Sequence, residues 1–162
     1  MPDDMQIYSI GHSDHPIEAF LDLLRQHMVT VVVDVRSQPY SQWVPQFNRE
    51  SLARALEAAG IRYVFMGDSL GGRPADPALY DAGEEYPDYE RLASSPAYQA
   101  SIERLLALAR MERVAFMCSE GDHTKCHRSK LIAPTLRERG ARVLHIRPDG
   151  KVIEEPQQLA LF

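Results

Sequence analysis

Residues 117–128, MCSEGDHTKCHR, hold both cysteines of the chain beside two histidines, two acids and two bases. Such a cluster admits three chemistries: a thiol nucleophile, a metal site, or a polar loop with inert sulfur. Cys126 stands just before an expected helix, where free N–H groups and the macrodipole favour a thiolate. Lys125, His127 and Arg128 add local positive charge, which suits a nucleophile or an anion pocket. Cys118 ends an apolar strand, the setting of a small buried hydrophobe, so Cys126 is the expected reactive thiol. For a metal, Cys118 and Cys126 with one of His12, His123 or His127 supply three ligands to zinc or iron. The spacing matches no paired CxxC arrangement, and neighbouring Cys126 and His127 do not easily face one ion.

The elements that must position these residues read as alternating strands and helices. Strands are expected at 6–10 (QIYSI), 30–35 (TVVVDV), 61–65 (IRYVF), 113–118 (RVAFMC) and 142–146 (RVLHI). Between them, apolar residues recur at helical spacing: Ile17, Phe20, Leu21, Leu24 and Met28, then Leu52, Leu56 and Ala59, then Tyr98, Ile102, Leu105, Leu106 and Ala109. Asn48 is a candidate N-cap for the second helix and Gly60 its stop. A further helix over 128–139 ends at Gly140. Alternation of this kind predicts an α/β fold: a mostly parallel sheet of about five strands with helices on both faces.

In such a sheet, ligands bind outside the carboxyl ends of the strands. Those ends are chemically loaded here. The first strand leads into Gly11, His12 and Ser13; the second delivers Asp34, Arg36 and Ser37, then a loop with Ser41 and Asn48; the fourth ends in Cys118, followed by Glu120. A single site at that edge would use Cys126 as nucleophile or ligand and His12 or His127 as general base. Arg36 and Arg128 would hold a phosphate or carboxylate, and Glu120 would orient or accept a proton. Duller roles compete: His12 as a helix cap, Asp34 with Arg36 as an internal ion pair.

Residues 66–95 resist assignment and are expected to form a long loop, with four glycines, three prolines and three tyrosines. Seven acids against two arginines make that stretch a poor grip for phosphate. Across the whole chain the net charge is −5, against a generic nucleic-acid coat protein, but residues 103–151 carry 11 bases and 6 acids. This basic stretch surrounds the cysteine cluster and fits an anionic ligand. A length of 162 residues predicts one domain over 1–151 and a tail over 152–162. No apolar run approaches a membrane span and the N-terminus lacks a signal-like pattern, so a reducing cytoplasm is the expected setting.

The motifs SIGHS (9–13), DVRSQPYS (34–41), FN (47–48), GIRYVFMGDSLGG (60–72) and FMCSEGDHTKCHR (116–128) together resemble domain-of-unknown-function family 488. The resemblance runs from about residue 7 to residue 147. It implies a compact Rossmann-like fold with a polar site over Gly11, His12, Ser13, Asp34, Arg36, Cys118, Glu120, Cys126, His127 and Arg128, and it supplies no reaction.

The terminal QLALF (158–162) resembles the QLxLF peptide by which bacterial DNA polymerases and repair proteins hold the replication sliding clamp. Gln158 would be the polar anchor and Leu159, Leu161 and Phe162 the apolar ones. The preferred expectation is an enzyme-like protein beside the replication or repair machinery, acting as hydrolase or transferase on a nucleotide or nucleic-acid group. The alternatives are a non-catalytic nucleotide- or metal-binding module, and a thiol-dependent enzyme of small-molecule metabolism.

Overall fold

The computed structural model describes residues 5–122 and 126–155. Its element order is β1 (Met5–Gly11), α1 (Ile17–Gln26), β2 (Val31–Asp34), α2 (Arg49–Ala58), β3 (Arg62–Phe65), α3 (Gly67–Leu70), α4 (Tyr89–Ala93), α5 (Pro96–Met111) and β4 (Val114–Cys118). A π-helical turn (Arg128–Ile132) then runs into α6 (Ala133–Glu138), followed by β5 (Ala141–Ile146) and β6 (Val152–Ile153). The expected α/β architecture holds: six strands in the order β3-β2-β4-β1-β5-β6, all pairs parallel except β5–β6.

The central strands β2 and β4 are buried at every position and mostly apolar, as parallel strands covered on both faces tend to be. Side chains alternate between two cores. Val31, Val33, Phe116 and Cys118 join the core under α5 and α6, with Tyr98, Leu105, Leu131 and Leu136. Val32, Ala115 and Met117 join the opposite core under α1 and α2, with Phe20, Leu24, Leu52 and Leu56. Each fully buried Leu or Phe contributes ~1.5–3 kcal/mol, so both layers are held by comparable apolar faces.

The differences from the sequence reading have local causes. A sixth strand, β6, was not expected; its two residues pair antiparallel with His145 and Ile146, too short a stretch to show a period. It carries the sheet into the segment expected as tail, and Arg142 grips Glu154 with a two-pronged ion pair at 2.8 and 2.7 Å. The first helix stops at Gln26 rather than Met28, which has φ 56° and lies exposed. Asn48 does not cap α2 with its side chain; its Oδ1 accepts from the Ser41 N–H at 2.6 Å and closes the 41–48 loop instead. The stretch 66–95 is not one long loop. It contains α3, a 3-10 turn (Pro77–Leu79) and α4, anchored by buried Met66, Leu70 and Leu92. Asp88 caps α4 by accepting from Glu90 and Arg91, and Ser95 caps α5 by accepting from Tyr98. No described helix is long and apolar enough to cross a membrane.

Candidate functional site

Three strand ends lie level at one edge. Gly11 of β1 pairs with Cys118 of β4, and Asp34 of β2 pairs with Met117. The ladder continues beyond the strands: His12 and Ser13 donate to the carbonyls of Cys118 and Ser119 at 3.0 and 2.9 Å, and Val35 donates to Met117 at 3.0 Å. From neighbouring β1 and β4 the chain departs to opposite faces, towards α1 and towards α6. That is a switch point, where an open α/β sheet leaves a crevice. Gly11 is required for this closeness. A Cβ there would stand 1.8 Å from the Glu120 carbonyl oxygen, so any side chain would drive the cysteine loop off the strand.

The crevice is a cleft of about 820 Å³. Its floor holds Cys118 and Cys126, whose sulfurs face each other at 3.1 Å. Neither is in a disulfide; Cys118 is buried at the end of β4, while Cys126 is half-buried just before the π-helical turn. Cys118 also donates weakly to the Glu120 carbonyl at 3.7 Å. Around the thiols stand Arg36, Ser37, Ser119, Glu120, His127 and Lys130, and a wall from the 66–95 segment adds Gly72, Arg73, Tyr86, Pro87 and Tyr89.

Arg36 is fixed before any ligand arrives. Its Nε and one terminal nitrogen donate to the two oxygens of Asp34 at 2.9 Å each, and its backbone N–H donates to the same carboxylate at 3.1 Å. Asp34 also accepts from the Tyr63 hydroxyl at 2.6 Å, and that phenol is held far above its usual range by burial first and by Asp34 next. His127 is oriented by the Val35 carbonyl, 3.2 Å from Nε2. A carbonyl only accepts, so Nε2 carries the proton and Nδ1 is the basic nitrogen when the ring is neutral. Gly72 lets the ring lie flat against the wall: a Cβ would sit 3.2 Å from Cγ. Arg73 ion-pairs with Glu85 at 3.0 Å and lies over the Tyr86 ring at 4.7 Å. The Tyr89 phenol, which lines the same cleft as Cys126, is pushed up by burial, then by Tyr86 and by Cys126.

The structure brings Arg36, Ser37, Cys118, Glu120, Cys126 and His127 onto this cleft. It does not bring His12 or Asp34 there. Both follow residues of the opposite core by two positions, so alternation turns them towards α1 and α2. The His12 ring is 4% exposed, stacks on Phe47 at 4.5 Å and donates through Nδ1 to the Ser13 carbonyl at 2.7 Å. Its pKa is lowered to about 4, chiefly by burial and then, against the help of the Ser13 bond, by Arg36. His12 is absent from the residues that line the cleft, and its ring is held in the core beside Phe47. Gly11 and Ser13 pack under the cysteine loop; Ser41 and Asn48 satisfy their own loop, with Ser41 Oγ accepting from the Trp43 N–H at 3.0 Å.

Arg73, Tyr86, Tyr89 and Lys130 were missed by sequence reasoning. The signal for Lys130 was its place four residues after Cys126, whose carbonyl accepts from the Lys130 N–H at 3.4 Å. For the tyrosines it was their number in a segment dismissed as acidic. Among the described residues no group of three or more His, Cys, Asp or Glu side chains gathers that could hold a metal ion. His123, Lys125 and the side chain of Arg128 lie outside the described residues, as do Gln158, Leu159, Leu161 and Phe162.

The chain belongs to the family described as Domain of unknown function DUF488, which matches residues 16–133. That span contains both cysteines, Arg36 and the whole 66–95 wall, and leaves Gly11, His12 and Ser13 outside it. No curated protein and no solved structure matches the chain.

Proposed function

We propose that the cleft is the site of a thiol-dependent transferase or hydrolase acting on a phosphate-bearing ligand of the nucleotide or nucleic-acid class. The observation that carries this reading is a half-buried thiol, Cys126, on the floor of a cleft whose walls supply guanidinium, ammonium and phenol groups. Arg36, Arg73 and Lys130 offer the charge that phosphate oxygens need, and Arg36 offers it without reorganising. Tyr86 and Tyr89 offer flat faces on which a base stacks. Cys126 attacks and His127 Nδ1 takes or returns the proton. A volume near 820 Å³ lies within the range of small-molecule sites.

Titrating reduced protein with mono- and dinucleotides and short single strands tests this reading. Saturable binding is expected, weakened about tenfold in Lys130→Ala, the loss of one charge-assisted hydrogen bond. Equal affinity for nucleosides and nucleotides would remove the phosphate from the account.

For the C-terminal segment the proposal rests on its residues alone: Gln158, Leu159, Leu161 and Phe162 dock on the bacterial sliding clamp and keep the protein near DNA under repair or replication. Deleting 158–162 is expected to abolish clamp binding in a pull-down while leaving the melting temperature unchanged. Clamp binding that survives the deletion would remove the tail as the docking element, and a full-length protein that does not bind the clamp would remove the association.

A further inference from the structure

The thiol pair has an arrangement that a single nucleophile does not need. Cys118 and Cys126 come from different segments, the end of β4 and the stretch leading into the π-helical turn, and meet with sulfurs 3.1 Å apart. A disulfide bond is about 2.05 Å long, so a closure of roughly 1 Å joins them. Their exposures are unequal in the useful sense: both border the cleft, but Cys126 is half-buried while Cys118 is only 3% exposed. The outer sulfur is placed to meet a reagent and the inner one to displace it.

We propose that Cys118 and Cys126 form a redox-active dithiol that exchanges with small anionic disulfides, Cys126 attacking and Cys118 resolving. This is a second activity of the same cleft, and it rests on the proposed reading only in requiring that Cys126 be reachable. In the first step the Cys126 thiolate attacks one sulfur of the incoming disulfide. A mixed disulfide forms at Cys126 and the first half of the reagent leaves as thiolate. In the second step the Cys118 thiol, until then donating to the Glu120 carbonyl at 3.7 Å, gives up its proton and attacks Cys126 Sγ. The Cys118–Cys126 bond forms and the second half leaves with the proton taken up by the departing thiolates. Counted from the dithiol, the protein loses two electrons and two protons, one proton released when the Cys126 thiolate forms and one from Cys118, and the disulfide becomes two thiols. Arg73 and Lys130 favour reagents that carry carboxylates, as oxidised glutathione does.

Oxidised glutathione added to reduced protein, quenched with acid over time and mapped without reductant, reads both steps. Trypsin cuts after Lys125 and so separates the peptides of the two cysteines. Wild type should yield the two peptides joined, with little glutathione retained. Cys118→Ser should accumulate glutathione on Cys126, and Cys118→Ala, which buries no hydroxyl, should do the same. Cys126→Ser should react slowly at Cys118. Retention of glutathione on wild type to the level of the Cys118 variants would overturn the resolving role while leaving Cys126 as a nucleophile. Absence of the adduct from folded Cys118→Ala would overturn both this proposal and the thiol-dependent reading, because the outer sulfur would then be unreachable.

Discussion

Asp34→Asn is expected to destabilise the protein by about 3–5 kcal/mol, the cost of leaving one member of a buried ion pair alone. Asp34 is fully buried and Arg36 is 7% exposed, and three donors converge on the carboxylate: the Arg36 guanidinium, the Arg36 N–H and the Tyr63 hydroxyl. Asparagine keeps the shape but removes the charge and presents N–H groups to donors. Arg36→Gln should cost nearly as much, because Asp34 then keeps a buried charge with only neutral donors. The double variant should cost clearly less than the two single costs together, a coupling that chemical denaturation of all four proteins measures. Independent, additive losses would show that the pair is not what fixes Arg36 at the cleft.

A second large effect concerns acid. His12 has its pKa lowered from 6.5 to about 4, first by burial. The unfolded chain therefore takes up this proton near pH 6.5 and the folded chain only near pH 4, so the unfolded state holds more protons between those values. Stability from His12 is fully present above the unfolded pKa, is lost as pH falls through this window, and levels off below about 4. The total is about 3 kcal/mol for this depression. Denaturation midpoints between about pH 7 and pH 4.5 check it, with His12→Gln as the non-titrating comparison. The variant should be less stable at neutral pH, having lost the stack on Phe47, yet lose less on acidification. An unchanged pH slope would mean that His12 takes up its proton alike in the folded and the unfolded chain.

The outline of the fold was legible because the strands are written in runs such as VVVD and VAFMC, which only a doubly covered parallel sheet tolerates. The convergence of strand ends followed from that alternation. What sequence periodicity did not resolve was the face on which each polar residue emerges once the strand has ended. His12 and Cys118 both stand at strand ends on neighbouring strands, yet one meets Phe47 under α1 and the other meets Cys126 under α6. One residue of register decides between those faces, and sequence boundaries are looser than that. The 66–95 segment was illegible for a different reason. Its short helices are held by the distant core through Leu70 and Leu92, so local propensity carries little of their stability. With them came Arg73, Tyr86 and Tyr89, which complete the cleft.

The central claim is that Cys126 is a reactive thiol inside a site for a phosphate-bearing ligand. Alkylation of the reduced protein, followed by peptide mapping while a nucleotide is titrated in, tests it most directly. The account predicts that Cys126 is modified well before Cys118, and that its modification slows in step with nucleotide binding. Faster modification of Cys118, or a Cys126 rate that saturating nucleotide leaves untouched, would contradict it.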